Sequence, residues 1–140
     1  MSQPIITPYE ILGGEPFFAA LTAAFYRQVA TDPILRPMYP EDALEPARRR
    51  LQLFLEQYWG GPTTYSDERG HPRLRMRHME FTIDEHARDR WLQLMRVAVA
   101  EQHLPDEAED MLWSYLLSAA FAMQNTSDES ANPEHGHQLL

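Results

Sequence analysis

Residues 69 to 81 read RGHPRLRMRHMEF and gather four arginines and two histidines in a chain whose net charge is -9. His78 follows Arg73, Arg75 and Arg77 and is flanked by Met76 and Met79. A neutral imidazole is a common metal ligand, and a basic cluster this local in an acidic protein calls for a small anion held beside it. One neutral imidazole for iron, an apolar slot for a macrocycle and cations for two propionates are the requirements of a b-type haem. Arg77 stands next to His78, and Arg69, His71, Arg73, Arg75 and the phenol of Tyr65 lie close in sequence, so two propionates would find partners here. The competing reading makes His78 a half-buried surface histidine and the arginines a solvated face paired with Glu68 and Glu80.

A second set of residues falls on the segments that would form an opposite wall. Tyr26 adjoins Phe25, Tyr39 lies in a proline-rich bend, and Trp91 sits on an apolar helical face. Each carries a donor that is costly to bury without a partner. Singly they read as packing aromatics; jointly they can converge on a polar ligand.

Other chemistries find no support. The chain has no Gly-rich phosphate loop, no G-x-S-x-G and no H-E-x-x-H, and its one Glu-x-x-His pair, Glu68 and His71, falls in an expected loop. His135 and His137 belong to a solvated tail, and His86 and His103 lie near expected helix ends. With no cysteine, disulfides, thiolate metal sites and thiol nucleophiles are excluded. Twelve Lys plus Arg against 21 Asp plus Glu argue against nucleic acid as a partner. The start MSQPIITPYEIL lacks a signal-peptide pattern and no apolar run reaches the ~18 residues of a membrane span, so the expectation is a cytoplasmic protein without a membrane partner.

The elements that must position these residues are helices. Phe17, Leu21, Phe25 and Val29 recur at four-residue steps and predict a core helix over residues 15 to 30, preceded by a glycine stop at Gly13 and Gly14. Pro33, Pro37 and Pro40 allow short turns and a bend. A second helix is expected from about Glu45 to Trp59, with Leu44, Ala47, Leu51, Phe54, Leu55 and Tyr58 on one face, ended by Gly60 and Gly61. Residues 63 to 73 read as a polar loop, and the basic cluster as a short helix placing Leu74, Arg77 and His78 on one face. Thr82 and Glu85 have capping-box spacing for a third helix to about His103, burying Ala87, Trp91, Leu94, Met95 and Ala98. A last helix from about Asp106 to Gln124 carries Leu112, Tyr115, Leu116, Ala119 and Met123. The expectation is one all-α domain over residues 1 to 125, with four substantial helices in two antiparallel pairs, and a polar, disordered tail over 126 to 140.

Over roughly residues 5 to 125 the sequence resembles the truncated haemoglobins, and within them the group II branch. The resemblance rests on ILGG before the first long helix, FYRQVATDP, MYPED, LEQYWGGPTTYSDERGHPRLRMRHMEF and RWLQLMRVAV. It implies a shortened globin, a two-over-two helical sandwich, with haem b as cofactor and His78 as the proximal iron ligand. It places Tyr26, Tyr39 and Trp91 in the distal pocket, with Ala47 where many globins have histidine and Leu51 one turn further on. Arg77, Tyr65, His71, Arg69 and Arg73 would then serve the propionates, and Phe54, Leu74 and Met79 the macrocycle. The Leu74 carbonyl is the natural acceptor for the second ring nitrogen of His78. Tyr39 replaces the usual phenylalanine and Ala47 offers no hydrogen bond, so recognition of O2, CO or NO falls to Tyr26, Tyr39 and Trp91. Several donors around a charged ligand imply slow O2 release, which suits redox chemistry such as nitric oxide dioxygenation or peroxide turnover better than carriage. No dedicated acid-base residue is visible for either, and the enzyme question stays open at this point. A reductase would be the protein partner, and a homodimer is compatible with the sequence. The alternatives are a haem-free helical module for an anionic partner and a gas sensor.

Overall fold

The computed structural model of the chain describes residues 6–40, 42–70 and 84–123, which form six α-helices and one 3-10 turn, with no strand among them. Helix α1 (Pro8–Leu12) is capped by the Thr7 side chain, which accepts from the Glu10 N–H, and carries proline where a missing N–H costs nothing. It stops at Gly13, whose φ of +122° no side chain adopts readily. The expected core helix follows as α2 (Gly14–Val29). Phe18, Leu21, Phe25 and Val29 are all fully buried, each side chain stabilising the fold by about 1.5–3 kcal/mol.

Helix α2 packs on α3 (Glu45–Tyr58) and on α5 (Glu85–Ala100), α5 packs on α6 (Asp106–Met123), and α3 carries the short α4 (Thr64–Arg69). The result is α2 with α3 laid over α5 with α6, a two-over-two sandwich whose core runs through Phe18, Phe25, Leu55, Met95 and Leu112. The interface of α2 and α3 also holds polar groups that periodicity did not single out. Arg48 donates to Gln52 Oε1 at 2.6 Å and to Thr22 Oγ1 at 3.2 Å, and Gln52 Nε2 donates to the buried Glu56 at 2.8 Å. Four-residue spacing stacks these groups into one ladder. The turn after α3 is equally tight: a Cβ on Gly61 would stand 2.6 Å from the Tyr9 ring and 2.9 Å from the Glu56 carbonyl.

Four expectations need correction. Residues 64 to 69 form α4 rather than loop, because Gln57 exchanges two hydrogen bonds with Ser66 and Arg49 grips Glu68 through both carboxylate oxygens. Glu68 is therefore the partner of Arg49, where the sequence suggested the basic stretch. The N-cap of α5 is Asp84, whose carboxylate accepts from the Ala87 N–H at 2.9 Å, in place of Thr82; the helix ends at Ala100, and His103 stands at φ +53° beyond it. Tyr58, expected on the buried face of α3, is 53% exposed and stacks on Tyr115 with ring centroids 3.9 Å apart. The expected His78 helix and the tail lie outside the described residues.

Candidate functional site

Three elements bring the polar aromatics to one wall. Tyr26 is on the fourth turn of α2, buried because its neighbour Phe25 is a core residue. Tyr39 follows the 3-10 turn Arg36–Met38, where Arg36 Nη1 donates back to the Tyr39 carbonyl at 2.9 Å and holds the backbone. The Tyr26 hydroxyl donates to that of Tyr39 at 3.3 Å, their rings meeting edge to face at 5.5 Å. Trp91, on the second turn of α5, tilts against Phe25 at 5.5 Å. Phe25 thus packs on both Tyr26 and Trp91 and sets their separation.

The facing wall comes from α3 and α4. Ala47, Leu51 and Phe54 lie at three- and four-residue steps along α3, and the Phe54 ring meets that of Tyr65 edge to face at 5.5 Å. Tyr65 is buried only because α4 is helical and pinned to α3. Arg69, one turn on, places its guanidinium 6.0 Å from the Tyr65 ring. With Leu116 and Ala119 of α6 these walls surround a cavity of about 450 Å³, within the range of small-molecule sites.

All the predicted site residues that the structure describes line this one cavity: Tyr26, Tyr39 and Trp91, Ala47, Leu51 and Phe54, and Tyr65 and Arg69. His71, Arg73, Leu74, Arg77, His78 and Met79 lie outside the described residues. His86 and His103 are exposed, and no histidine is among the described lining residues. Sequence reasoning missed Arg50, Arg88 and Tyr115, which also line the cavity. Arg50 could have been found, since it is one turn from Ala47 and beside Leu51. Tyr115 was legible only as a core residue; burial pushes its phenol pKa up, with a smaller contribution from Tyr58, so it faces the cavity as a neutral group.

The arrangement fits an apolar body with an anionic edge. The walls are mostly carbon, Arg50, Arg69 and Arg88 are among the lining residues, with the Arg88 guanidinium bonded to Asp89 and lying over the Phe121 ring, and Tyr26, Tyr39 and Trp91 share one wall. Among the described residues no cluster of three or more His, Cys, Asp or Glu side chains could hold a bare metal ion. Haem, with its apolar macrocycle and two propionates, fits these residues.

Comparison with known proteins points the same way. The family model described as bacterial-like globin matches residues 7–125. The chain is similar to the group 2 truncated haemoglobin YjbI of Bacillus subtilis, 40% identical over 128 residues that cover 91% of this chain and 96% of that one. Among solved structures it is similar to a thermostable haemoglobin from the actinobacterium Thermobifida fusca, with 58% identity, TM-score 0.85, and 86% and 98% of the two chains covered. The group II truncated haemoglobin from Bacillus anthracis superposes with TM-score 0.84 at 35% identity over 89% of this chain and all of that one.

Proposed function

The chain belongs to the bacterial-like globins as a group II truncated haemoglobin, a family that binds haem and small gaseous ligands such as O2, and from that premise we propose a b-type haem protein that releases O2 slowly and turns it to redox use. The observation that carries this reading is the joint placement of Tyr26, Tyr39 and Trp91 on one wall of the cavity. A relative from Bacillus subtilis, 38% identical, is described as an oxygen-avid truncated haemoglobin, which supports the same direction here.

When bound, haem supplies the iron at which a diatomic ligand is taken up and exchanges electrons; His78 is the residue that would ligate it. Arg69 and Tyr65, with Arg73, Arg77 and His71, would hold the propionates, and Phe54, Leu74 and Met79 the macrocycle, with Leu51 beside Ala47 on the ligand side. The protein's own work is done by preorganised donors. The Tyr26 and Tyr39 hydroxyls bond to each other at 3.3 Å and so are held together on the ligand side, and the Trp91 indole N–H is a donor with no competing acceptor role. In a cavity walled by carbon such donors stabilise negative charge more than they would in water. Ala47, small and buried, leaves room for ligand entry.

Reaction of held O2 with nitric oxide is the first candidate for the redox use, and would need a reductase to return the iron to the ferrous state; peroxide turnover is the second, and would need a reducing co-substrate; both suit a cytoplasmic setting. No described helix is long and apolar enough to cross a membrane. The test is a Soret band in the purified protein followed by O2 release measured with and without nitric oxide. A strong band, slow release and rapid nitrate formation are expected. A colourless fold that refuses added haem would overturn the haem reading, and fast O2 release with no reaction with nitric oxide would overturn the dioxygenase reading.

A further inference from the structure

Asp32 is a buried carboxylate that no part of the ligand site uses directly, with 3% of the residue exposed. Its Oδ2 accepts from the backbone N–H groups of Ile34 at 3.0 Å and Leu35 at 2.9 Å, and its Oδ1 accepts from Arg90 Nε at 2.5 Å. The first pair of bonds fixes the backbone from which the Tyr39 segment hangs. The Asp32 carbonyl accepts from the Arg36 N–H, the Leu35 carbonyl from Met38 and the Arg36 carbonyl from Tyr39, so the chain from Asp32 to Tyr39 is one run of short-range hydrogen bonds. Leu35, held by the carboxylate, itself lines the cavity. The bond to Arg90 ties this run to α5, at the residue next to Trp91.

We propose that Asp32 is a positioning residue for the ligand-facing wall, acting through Arg90 to fix the Tyr39 segment against Trp91. A buried ion pair is weak evidence for stability, since apolar residues of like volume often serve as well. What it supplies is direction: a carboxylate with three donors in fixed places has one orientation. Arg90 also donates through Nη1 to Gln93 Oε1 at 2.9 Å, one turn further along α5. Tyr39 and Trp91 come from elements 52 residues apart in sequence, and donors that converge on a small ligand must keep a spacing good to a fraction of an ångström.

The proposal rests on the haem reading for its ligand, so the experiment carries one readout that needs haem and one that does not. In the full chain labelled with 5-fluorotryptophan, the Trp91 resonance, assigned by its loss in Trp91→Phe, is followed by fluorine NMR with and without haem. In the ferrous protein the carbonyl stretch of added CO and the O2 release rate are recorded. Asp32→Asn and Arg90→Gln should each displace the Trp91 resonance while leaving those of Trp59 and Trp113 in place. Each should move or split the CO band and accelerate O2 release by roughly two- to thirtyfold. Arg90→Lys, which keeps the charge, should lie between these variants and wild type. Arg90→Gln leaves both backbone bonds of Asp32 intact and serves should Asp32→Asn not fold. A lowered melting temperature with an unmoved Trp91 resonance and CO band overturns the proposal, as does an effect of Asp32→Asn that Arg90→Gln does not reproduce. A chain that takes up no haem refutes the functional reading, and the Trp91 resonance then decides the clamp by itself.

Discussion

The Tyr26 hydroxyl, on α2, donates to the Tyr39 hydroxyl across 3.3 Å, so two elements of the cavity wall meet through a bond between phenols. Two donors joined in this way do not act independently toward a ligand. Replacing either tyrosine by phenylalanine removes their mutual bond and so alters the setting of the hydroxyl that remains. The double variant should therefore accelerate O2 release by less than the product of the single effects, with a coupling of roughly 0.5–3 kcal/mol. Stopped-flow O2 release from the two single variants and the double variant measures this. Effects that multiply within error would mean that the pair does not work as a unit.

Trp91→Phe keeps most of the ring volume against Phe25 and deletes the indole N–H. If that N–H holds O2, losing a hydrogen bond to a charge-bearing ligand costs about 1.5–3 kcal/mol and should speed O2 release ten- to a hundredfold. CO carries less charge when held, so its release should change much less. Equal small changes for both gases would move the weight to Tyr26 and Tyr39.

How far these residues could be read from sequence follows from what periodicity carries. The stripes of Phe17, Leu21, Phe25 and Val29 on α2 and of Leu94, Met95 and Ala98 on α5 fixed the long helices and the face each buries, because a core face recurs every three or four residues whatever packs on it. Helix α4 was not legible: Thr64–Arg69 has one buried residue, Tyr65, and is held by polar bonds to Gln57 and Arg49, partners 9 to 19 residues distant. The Asp32–Arg90 pair spans 58 residues, and the spacing of two charged residues says nothing of such a meeting. Tyr58 failed for a related reason. Its position on α3 suits burial, yet the place it faces is filled by Trp59 and Tyr115, and it ends outside, stacked on Tyr115. Cavity residues such as Leu51 and Phe54 looked like core because an apolar wall and a core face have the same composition.

His78→Ala tests the proximal role that the family resemblance gives to a residue outside the described segments. Among the described residues a buried core already forms from α1, α2, α3, α5, α6 and the Leu35 turn, so circular dichroism should report a folded helical protein. Haem retention should fall sharply and return in part with added imidazole. Unchanged haem content and an unchanged ferrous spectrum would remove His78 from that role.

Acid titration shows the Asp32 charge at work, and salt separates it from the surface pairs. Burial, the largest single influence on the Asp32 carboxyl, pushes its pKa up, but the Leu35 N–H, the Arg90 guanidinium and the Ile34 N–H together outweigh it and hold the group below the ordinary carboxylate value. A depressed native pKa means that the stabilisation is fully present above the unfolded value of about 3.9 and is lost as pH falls through the native value. Asp32→Asn should thus lower stability by roughly 1.5–3 kcal/mol at neutral pH. The gap in melting temperature between wild type and variant should stay constant above about pH 5 and close below about pH 4. Glu45 and Glu68 are also held low, by hydrogen bonds from Arg48 and Arg49, but both carboxylates are exposed, and salt screens such pairs. High salt should erase the small effect of Glu68→Gln and leave that of Asp32→Asn, because the Asp32 side chain is 1% exposed and its partners reach it where mobile ions do not. A gap that salt removes would place the Asp32 charge among the surface pairs instead, and one that does not narrow in acid would show that the carboxylate charge is not its source.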